Sequence, residues 1–418
     1  MFKNIRNLCH VGCLRGTGTM IGISKLYCSQ GSSGDAIRYG HNSALSDITT
    51  DKTYVPKSAR ERRPVVVFNI TRTCNLKCVH CYSDSENKKY TGELTTNEIK
   101  NILKDLSRFS IPALLLSGGE PLMHPDFSEI AEYGRSLGLR ITLSTNGTLI
   151  TDNIAKELKK LGISYVGVSL DGIGEINDKF RGRTGAFKEA IKGFQNCVTN
   201  NQRVGLRLTL TKQNVQDLNK IFDFIEAKNI NRACFYHLAY SGRGSKISEY
   251  DLTHEETRNA MDIILERTQD FYTRGLNKDI LTVDNHVDGI YLYLKQLKEH
   301  PEQAAKTLEL LKWNGGGTYS SGVGIGNIDF LGNVHPDQFW MHYSFGNVKE
   351  RPFSEIWQDT SNPLMAGLKN RIPLLKGKCK TCKWLDACGG ALRVRADVFY
   401  NDPWAPDPAC YLTEKEII

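Results

Sequence analysis

Pro64-Val-Val-Val-Phe-Asn-Ile-Thr-Arg-Thr-Cys74-Asn-Leu-Lys-Cys78-Val-His-Cys81-Tyr82 joins a short apolar run to a loop with three cysteines. An apolar run of this length that ends in polar residues reads as a buried strand. The spacing lets three thiolates converge on one iron–sulfur cluster and leaves one iron without a protein ligand. A fourth ligand would make an electron-transfer centre, whereas an open iron binds and activates a small molecule. A zinc knuckle or a redox pair draws on similar residues, but a structural zinc site wants four close ligands and His80 is poorly directed for one. A c-type haem site is excluded, because Tyr82 rather than a histidine follows Cys81.

Outward from this loop, short apolar runs alternate with amphipathic stretches as far as about Gly244, the pattern of a β/α fold with a parallel sheet. Six strands are predicted, over Val65 to Ile70, Ala113 to Leu116, Arg140 to Leu143, Tyr165 to Ser169, Val204 to Leu210 and Ala233 to His237. A helix is expected to start at Thr95, where Thr-x-x-Glu98 forms a capping box, and to bury Ile99, Ile102, Leu103, Leu106 and Phe109. Cys197 and Cys234 fall on such apolar faces and read as packing residues. Six units are too few for a closed eight-fold barrel, so the fold class is α/β, an open partial (β/α)6 TIM-like barrel. Its chemistry belongs at the carboxyl ends of the strands. There lie the cysteine loop, Ser117-Gly118-Gly119-Glu120-Pro121, Ser144-Thr145-Asn146-Gly147 and Leu170-Asp171-Gly172.

The organisation expected over 418 residues is an N-terminal extension at 1–63, a core at 64–275, a helical bridge at 276–317 ending in Gly315-Gly316-Gly317, and a small domain at 318–418. Residues 1–19 carry Lys3, Arg6 and Arg15 and no acid. They suit either a transit peptide or a start placed upstream of a native Met20. Twelve cysteines in metal-like spacings, with no secretory signal, point to reduced thiols in the cytoplasm. No stretch is long enough to span a membrane and no basic block suggests nucleic acid. The net charge of +8 suits an anionic small molecule, and equally a solvated surface.

With its Gly-Gly-Glu-Pro run one strand further on, the cysteine motif resembles that of the radical S-adenosylmethionine (SAM) enzymes. The resemblance implies a [4Fe-4S] cluster on Cys74, Cys78 and Cys81 whose free iron holds the methionine part of SAM, and a 5′-deoxyadenosyl radical released on reduction. It implies a SAM pocket of Tyr82, Gly118, Gly119, Glu120, Ser144, Asn146, Asp171 and Arg181. Here the glycine backbone and Glu120 meet the amino group, and Arg181, in Asp178-Lys-Phe-Arg181-Gly182, forks onto the carboxylate.

Cys379-Lys-Thr-Cys382, Cys388 and Cys410 supply four more thiolates, enough for a zinc ribbon or a closed cluster. Their spacing resembles the SPASM and twitch domains that accompany radical SAM cores, which implies an auxiliary [4Fe-4S] cluster. Asp337, Ser320 or Ser321, and Leu392 stand where cysteines of a further auxiliary cluster would fall, so two clusters in total are expected.

Phe235-Tyr-His237-Leu-Ala-Tyr240-Ser-Gly242-Arg243-Gly244, the ending Cys388-Gly-Gly-Ala-Leu-Arg393-Val-Arg395 with Asp402-Pro-Trp404 and Asp407-Pro-Ala-Cys410, and the opening Met20-Ile-Gly-Ile-Ser-Lys-Leu-Tyr-Cys28 resemble the tetrapyrrole-modifying branch. Within it they resemble the 12,18-didecarboxysiroheme deacetylase (AhbC) family, close to the NirJ family of haem d1 synthesis. The resemblance implies loss of two acetate side chains from an iron tetrapyrrole to give Fe-coproporphyrin III, with electrons from a donor such as a ferredoxin or flavodoxin. His237, Tyr240 and Arg243 are the expected substrate residues. A haem d1 reaction on propionates, a peptide maturase and a non-catalytic iron–sulfur carrier are the alternatives. The carrier would need neither the Gly-Gly-Glu-Pro run nor SAM.

Overall fold

The computed structural model describes residues 20–32, 35–39 and 63–418. The expectations for residues 1–19, and most of the extension expected over 1–63, fall outside these. Ten strands among the described residues form a single sheet. In chain order they are β1 (Met20–Gly22), β2 (Val65–Asn69), β3 (Leu114–Ser117), β4 (Ile141–Thr145), β5 (Tyr165–Ser169), β6 (Val204–Leu210), β7 (Arg232–His237), β8 (Asp279–Val283), β9 (Ile325–Ile328) and β10 (Val334–His335). Their spatial order is β1-β8-β7-β6-β5-β4-β3-β2-β9-β10. Every pair from β8 to β9 is parallel, and β1 and β10 add antiparallel edges.

The six predicted strands are β2 to β7, in an open, partial-barrel order. Two further parallel strands flank them. β8 lies inside the stretch expected to be a helical bridge, which is therefore a strand followed by helices Val287–Glu299 and Pro301–Asn314. β9 comes from the C-terminal region and pairs with β2, Val65 opposite Ile325, so that region shares the core's sheet.

Alternation along the strands separates two faces. Val66, Phe68, Leu114, Leu116, Ile141, Leu143, Val166, Val168, Leu206, Leu208 and Phe235 are buried in the main core, against the surrounding helices. One of these helices, Thr96–Arg108, begins with the predicted capping box at Thr95 and Glu98 and buries Ile99, Ile102, Leu103 and Leu106. The inward residues are more polar: Ser117, Thr142, Ser144, Tyr165, Arg207 and Tyr236 line a cavity.

Arg395 and Asp407, almost fully buried, fasten the C-terminal region over the barrel. Arg395 pairs with Asp407 at 2.9 Å and donates to the carbonyls of Asp284 at 2.6 Å and Leu238 at 3.2 Å, beyond the ends of β8 and β7. Burying both charges is costly, and these hydrogen bonds offset it. Cys28 is buried on the helix Ile23–Cys28, its thiol donating to Gln269 at 3.4 Å, and burial pushes that thiol up to about 12.

Candidate active site

The cysteine loop leaves β2 at its carboxyl end, and Cys74, Cys78 and Cys81 line a cavity of about 350 Å³ that runs down into the barrel. Donors surround the sulfurs. The Leu76 amide reaches Cys74 Sγ at 3.4 Å and Asn146 Nδ2 reaches it at 3.9 Å; Arg181 Nη1 reaches Cys78 Sγ at 3.7 Å, and the Ser85 amide reaches Cys81 Sγ at 3.5 Å. Burial pushes the Cys74 thiol up to about 12, and Glu120 and the other two cysteines add to the rise. Burial also raises Cys78, against the pull of Arg181. Thiols placed so ionise together only around a cation, and the N–H···S donors suit a bound cluster. Among the described residues no three His, Cys, Asp or Glu side chains close on a single-ion point.

Gly118 and Gly119 also line the cavity. They are glycines because the chain beyond β2 presses on them. A β-carbon on Gly118 would run into the Thr71 carbonyl, and one on Gly119 would run into the carbonyls of Thr73 and Arg72. Glu120 differs from expectation. It is fully buried, is not among the lining residues, and accepts from Thr145 Oγ1 at 2.8 Å, the Asn146 amide at 2.8 Å and the Leu122 amide at 3.2 Å. Its carboxylate supports the loop that carries Asn146 instead of facing a ligand. Burial lifts its pKa to about 7, against the pull of those three donors.

Ser144, Asn146, Asp171 and Arg181 all reach the cavity wall. Asp171 accepts the Thr209 amide at 2.8 Å and pairs with Arg181 at 2.5 Å and His80 at 3.3 Å. Arg181 is therefore already neutralised, and its remaining reach is toward Cys78. Burial keeps the His80 imidazole below its usual pKa. The Tyr82 hydroxyl lies 3.0 Å from Ser117 Oγ and its ring packs edge-on to Phe339 of the C-terminal region.

Of the expected substrate residues only His237 lines the cavity. Its Nε2 lies 2.8 Å from Asp288, whose other oxygen accepts from the Tyr411 hydroxyl at 2.9 Å. The Tyr240 hydroxyl is instead tied to Asp251 at 2.7 Å. Arg243 clamps the cysteine loop: it donates to Cys78 O at 2.7 Å, Asp84 at 2.7 Å and Ser85 O at 3.0 Å, so its fork is spent on protein. Arg38 and Arg140 also line the cavity, as do Arg207 and Arg232 inside the barrel, which the sequence reading leaves out. The only signal for Arg207 and Arg232 was the inward register of Gly205, Arg207 and Thr209 on β6 and of Arg232 and Tyr236 on β7.

In the C-terminal region Cys379, Cys382, Cys388 and Cys410 share a second cavity, walled by Val287, Trp384, Leu412 and Ile417. Burial raises the Cys388 thiol, and the other three cysteines raise it further. This donor set fits a multivalent cationic centre. Where cysteines of a further cluster would stand, Ser321 donates to the buried Asp337, Arg371 donates to Ser321 O at 2.7 Å, and Leu392 is buried.

Residues 68–225 match the family model of the Radical SAM superfamily. The chain is 55% identical over 401 residues, 95% of its length and 99% of the relative's, to the Fe-coproporphyrin III synthase of Methanosarcina barkeri strain Fusaro. It is 41% identical to the pre-heme d1 synthase of Dinoroseobacter shibae, covering 88% of this chain and 91% of that one. Among solved structures, Streptococcus suis SuiB bound to S-adenosylmethionine superposes with a TM-score of 0.63 at 18% identity, over 84% of this chain and 78% of that one. Native anSMEcpe with bound AdoMet gives 0.63 at 21% identity, over 83% and 93%. At these identities the two structures speak to the fold.

Proposed function

The chain belongs to the radical SAM superfamily, and from that premise we propose that it is an Fe-coproporphyrin III synthase of haem biosynthesis, removing the two acetate side chains of 12,18-didecarboxysiroheme. The 55% identity along 95% of the chain to the Methanosarcina barkeri enzyme carries this reading. A single cavity running from the cysteine loop to a basic barrel interior supports it.

When bound, a reduced [4Fe-4S] cluster and SAM supply a hydrogen-abstracting 5′-deoxyadenosyl radical. Cys74, Cys78 and Cys81 hold the cluster, and the donors on their sulfurs tune it. Gly118, Gly119, Ser144 and Asn146 form the wall against which SAM lies, and Tyr82 closes it beside Phe339. Asp171 fixes Arg181 and His80 at one side. His237, oriented by Asp288, presents an imidazole edge to the substrate. Cys379, Cys382, Cys388 and Cys410 would hold one auxiliary [4Fe-4S] cluster, which would supply a closed electron-transfer centre, with a ferredoxin or flavodoxin as the external reductant. In this reading the core spans 64–275, a bridge 276–317 and a SPASM/twitch-like domain 318–418, and the enzyme works in the cytoplasm. No helix among the described residues is long and apolar enough to cross a membrane.

The 41% identity to a pre-heme d1 synthase favours one second reading, chemistry on propionates. Anaerobic turnover of 12,18-didecarboxysiroheme followed by mass spectrometry of the tetrapyrrole separates the two. Loss of two acetates supports the synthase, and altered propionates with both acetates retained would replace it.

A further inference from the structure

Most of the cavity's arginines already have an acid. Arg181 pairs with Asp171 at 2.5 Å, Arg232 with Asp279 at 3.4 Å and Arg38 with Asp35 at 2.8 Å. Two have none in contact: Arg140, half-buried just before β4, and Arg207, which lies midway along β6. Arg207 Nη1 donates to Ser144 Oγ at 2.6 Å, and no carboxylate pairs with it among the described residues. The groups that act most on its charge are Tyr236, Tyr165, Cys234 and the like-charged Arg232. Asp284, buried on the same cavity wall with one unpartnered oxygen, acts on this charge without forming an ion pair with it, so Arg207 keeps donor capacity for an anion in direct contact.

The barrel is cut to make this place. Gly167 of β5 and Gly205 of β6 are register partners. A β-carbon on Gly167 would run into Arg207 Nε, and one on Gly205 into the Tyr165 hydroxyl. The Tyr165 hydroxyl is buried and has no hydrogen-bond partner. Two side chains that can donate thus lie over two glycines that leave them room, one without a counter-ion in contact and the other without an acceptor. Ser144, the residue Arg207 holds, is two residues from Asn146, which reaches Cys74 Sγ at 3.9 Å. An anion at Arg207 would therefore sit inside the barrel below the cluster loop.

We propose that Arg207, assisted by the Tyr165 hydroxyl, anchors a carboxylate of the tetrapyrrole substrate inside the barrel, the part that sequence alone would give to Arg243. This rests on the function proposed above. SAM also carries a carboxylate, and the two sources are separated by titrating each ligand alone.

The test uses the anaerobically reconstituted full chain as wild type, Arg207→Gln, Arg207→Lys and Tyr165→Phe. 12,18-Didecarboxysiroheme is titrated optically, and SAM by equilibrium dialysis. Loss of a charge-assisted hydrogen-bonded anchor predicts a tetrapyrrole Kd raised about ten- to hundredfold in Arg207→Gln. Partial recovery is expected in Arg207→Lys, with a smaller rise in Tyr165→Phe; the SAM Kd is unchanged in Tyr165→Phe, and in the two Arg207 variants, which release Ser144 of the SAM wall, it shifts less than the tetrapyrrole Kd. An unchanged tetrapyrrole Kd in Arg207→Gln, or a weakened SAM Kd with tetrapyrrole binding intact, overturns the anchor while leaving the function standing. Wild type that binds no tetrapyrrole overturns both. Should Arg207→Gln fail to assemble its clusters, the same Kd comparison in Arg207→Lys and Tyr165→Phe decides, and wild-type values in both would overturn the anchor.

Discussion

Replacing Arg243 by alanine should cost the protein a cluster before it costs substrate affinity. The guanidinium donates to two carbonyls of the cysteine loop, Cys78 O at 2.7 Å and Ser85 O at 3.0 Å. Each bond from a charged donor contributes about 1.5–3 kcal/mol. The third contact, Asp84 at 2.7 Å, has a carboxylate side chain 53% exposed and adds at most about 1 kcal/mol. Water can reach the loop edge and recover part of this, so the low end of the sum applies, about 3 kcal/mol. That is roughly a hundredfold in the balance between an ordered and a disordered loop. The assay is anaerobic reconstitution with iron and acid-labile sulfide counted per chain. The parent should hold about eight of each, as two four-iron clusters require, and Arg243→Ala about four with SAM cleavage lost. Arg243→Lys, which can remake one of the contacts, should fall between. Full iron and normal SAM cleavage in Arg243→Ala, with tetrapyrrole binding weakened, would refute the clamp and return Arg243 to the substrate.

Cys388→Ser should remove the auxiliary cluster alone, leaving about four irons and the SAM-binding cluster's spectrum; zinc in the parent protein would replace that cluster by a structural metal. Gly119→Ala places a methyl against the carbonyls of Arg72 and Thr73, backbone that cannot step aside. It should destabilise by about 1–3 kcal/mol in urea titrations and weaken SAM binding. Glu120 is held at about 7, above its ordinary 4.5. The native state therefore binds more protons than the unfolded chain between these values. Its contribution to stability is full below pH 4.5 and is lost as pH rises through about 7, by about 3 kcal/mol. Glu120→Gln should flatten that limb of a pH–stability curve, and a limb of unchanged slope would show that other groups produce it.

The parts legible in sequence were those written locally. β2 to β7 declare themselves as apolar runs between amphipathic helices, and the cysteine spacings announce the two groups of cysteines that each gather at a cavity. What was not legible depends on long-range pairing. β8 is five residues between helices, and β9 joins β2 from some 260 positions away, Val65 beside Ile325. Neither pairing leaves a local signature. The assignment of Arg243 failed for a related reason. A strand-end arginine looks like a ligand group until the loop it faces is in place, and here that loop supplies all three of its partners. Glu120 fits the same pattern, since its motif places it at the pocket but only the fold shows that Thr145, Asn146 and Leu122 consume its oxygens. Arg207 was passed over because an arginine inside a strand reads as half-exposed, and its inward direction emerges only once the sheet curves.

If the proposed function holds, SAM cleavage in this chain is coupled to loss of tetrapyrrole acetates. The most direct measurement follows 5′-deoxyadenosine and tetrapyrrole mass together, in one anaerobic time course of the reconstituted protein with dithionite, SAM and 12,18-didecarboxysiroheme. The account predicts deoxyadenosine rising in step with conversion to Fe-coproporphyrin III and neither product in Cys78→Ala. Deoxyadenosine formed beside an unchanged tetrapyrrole, or acetates lost without deoxyadenosine, would contradict it.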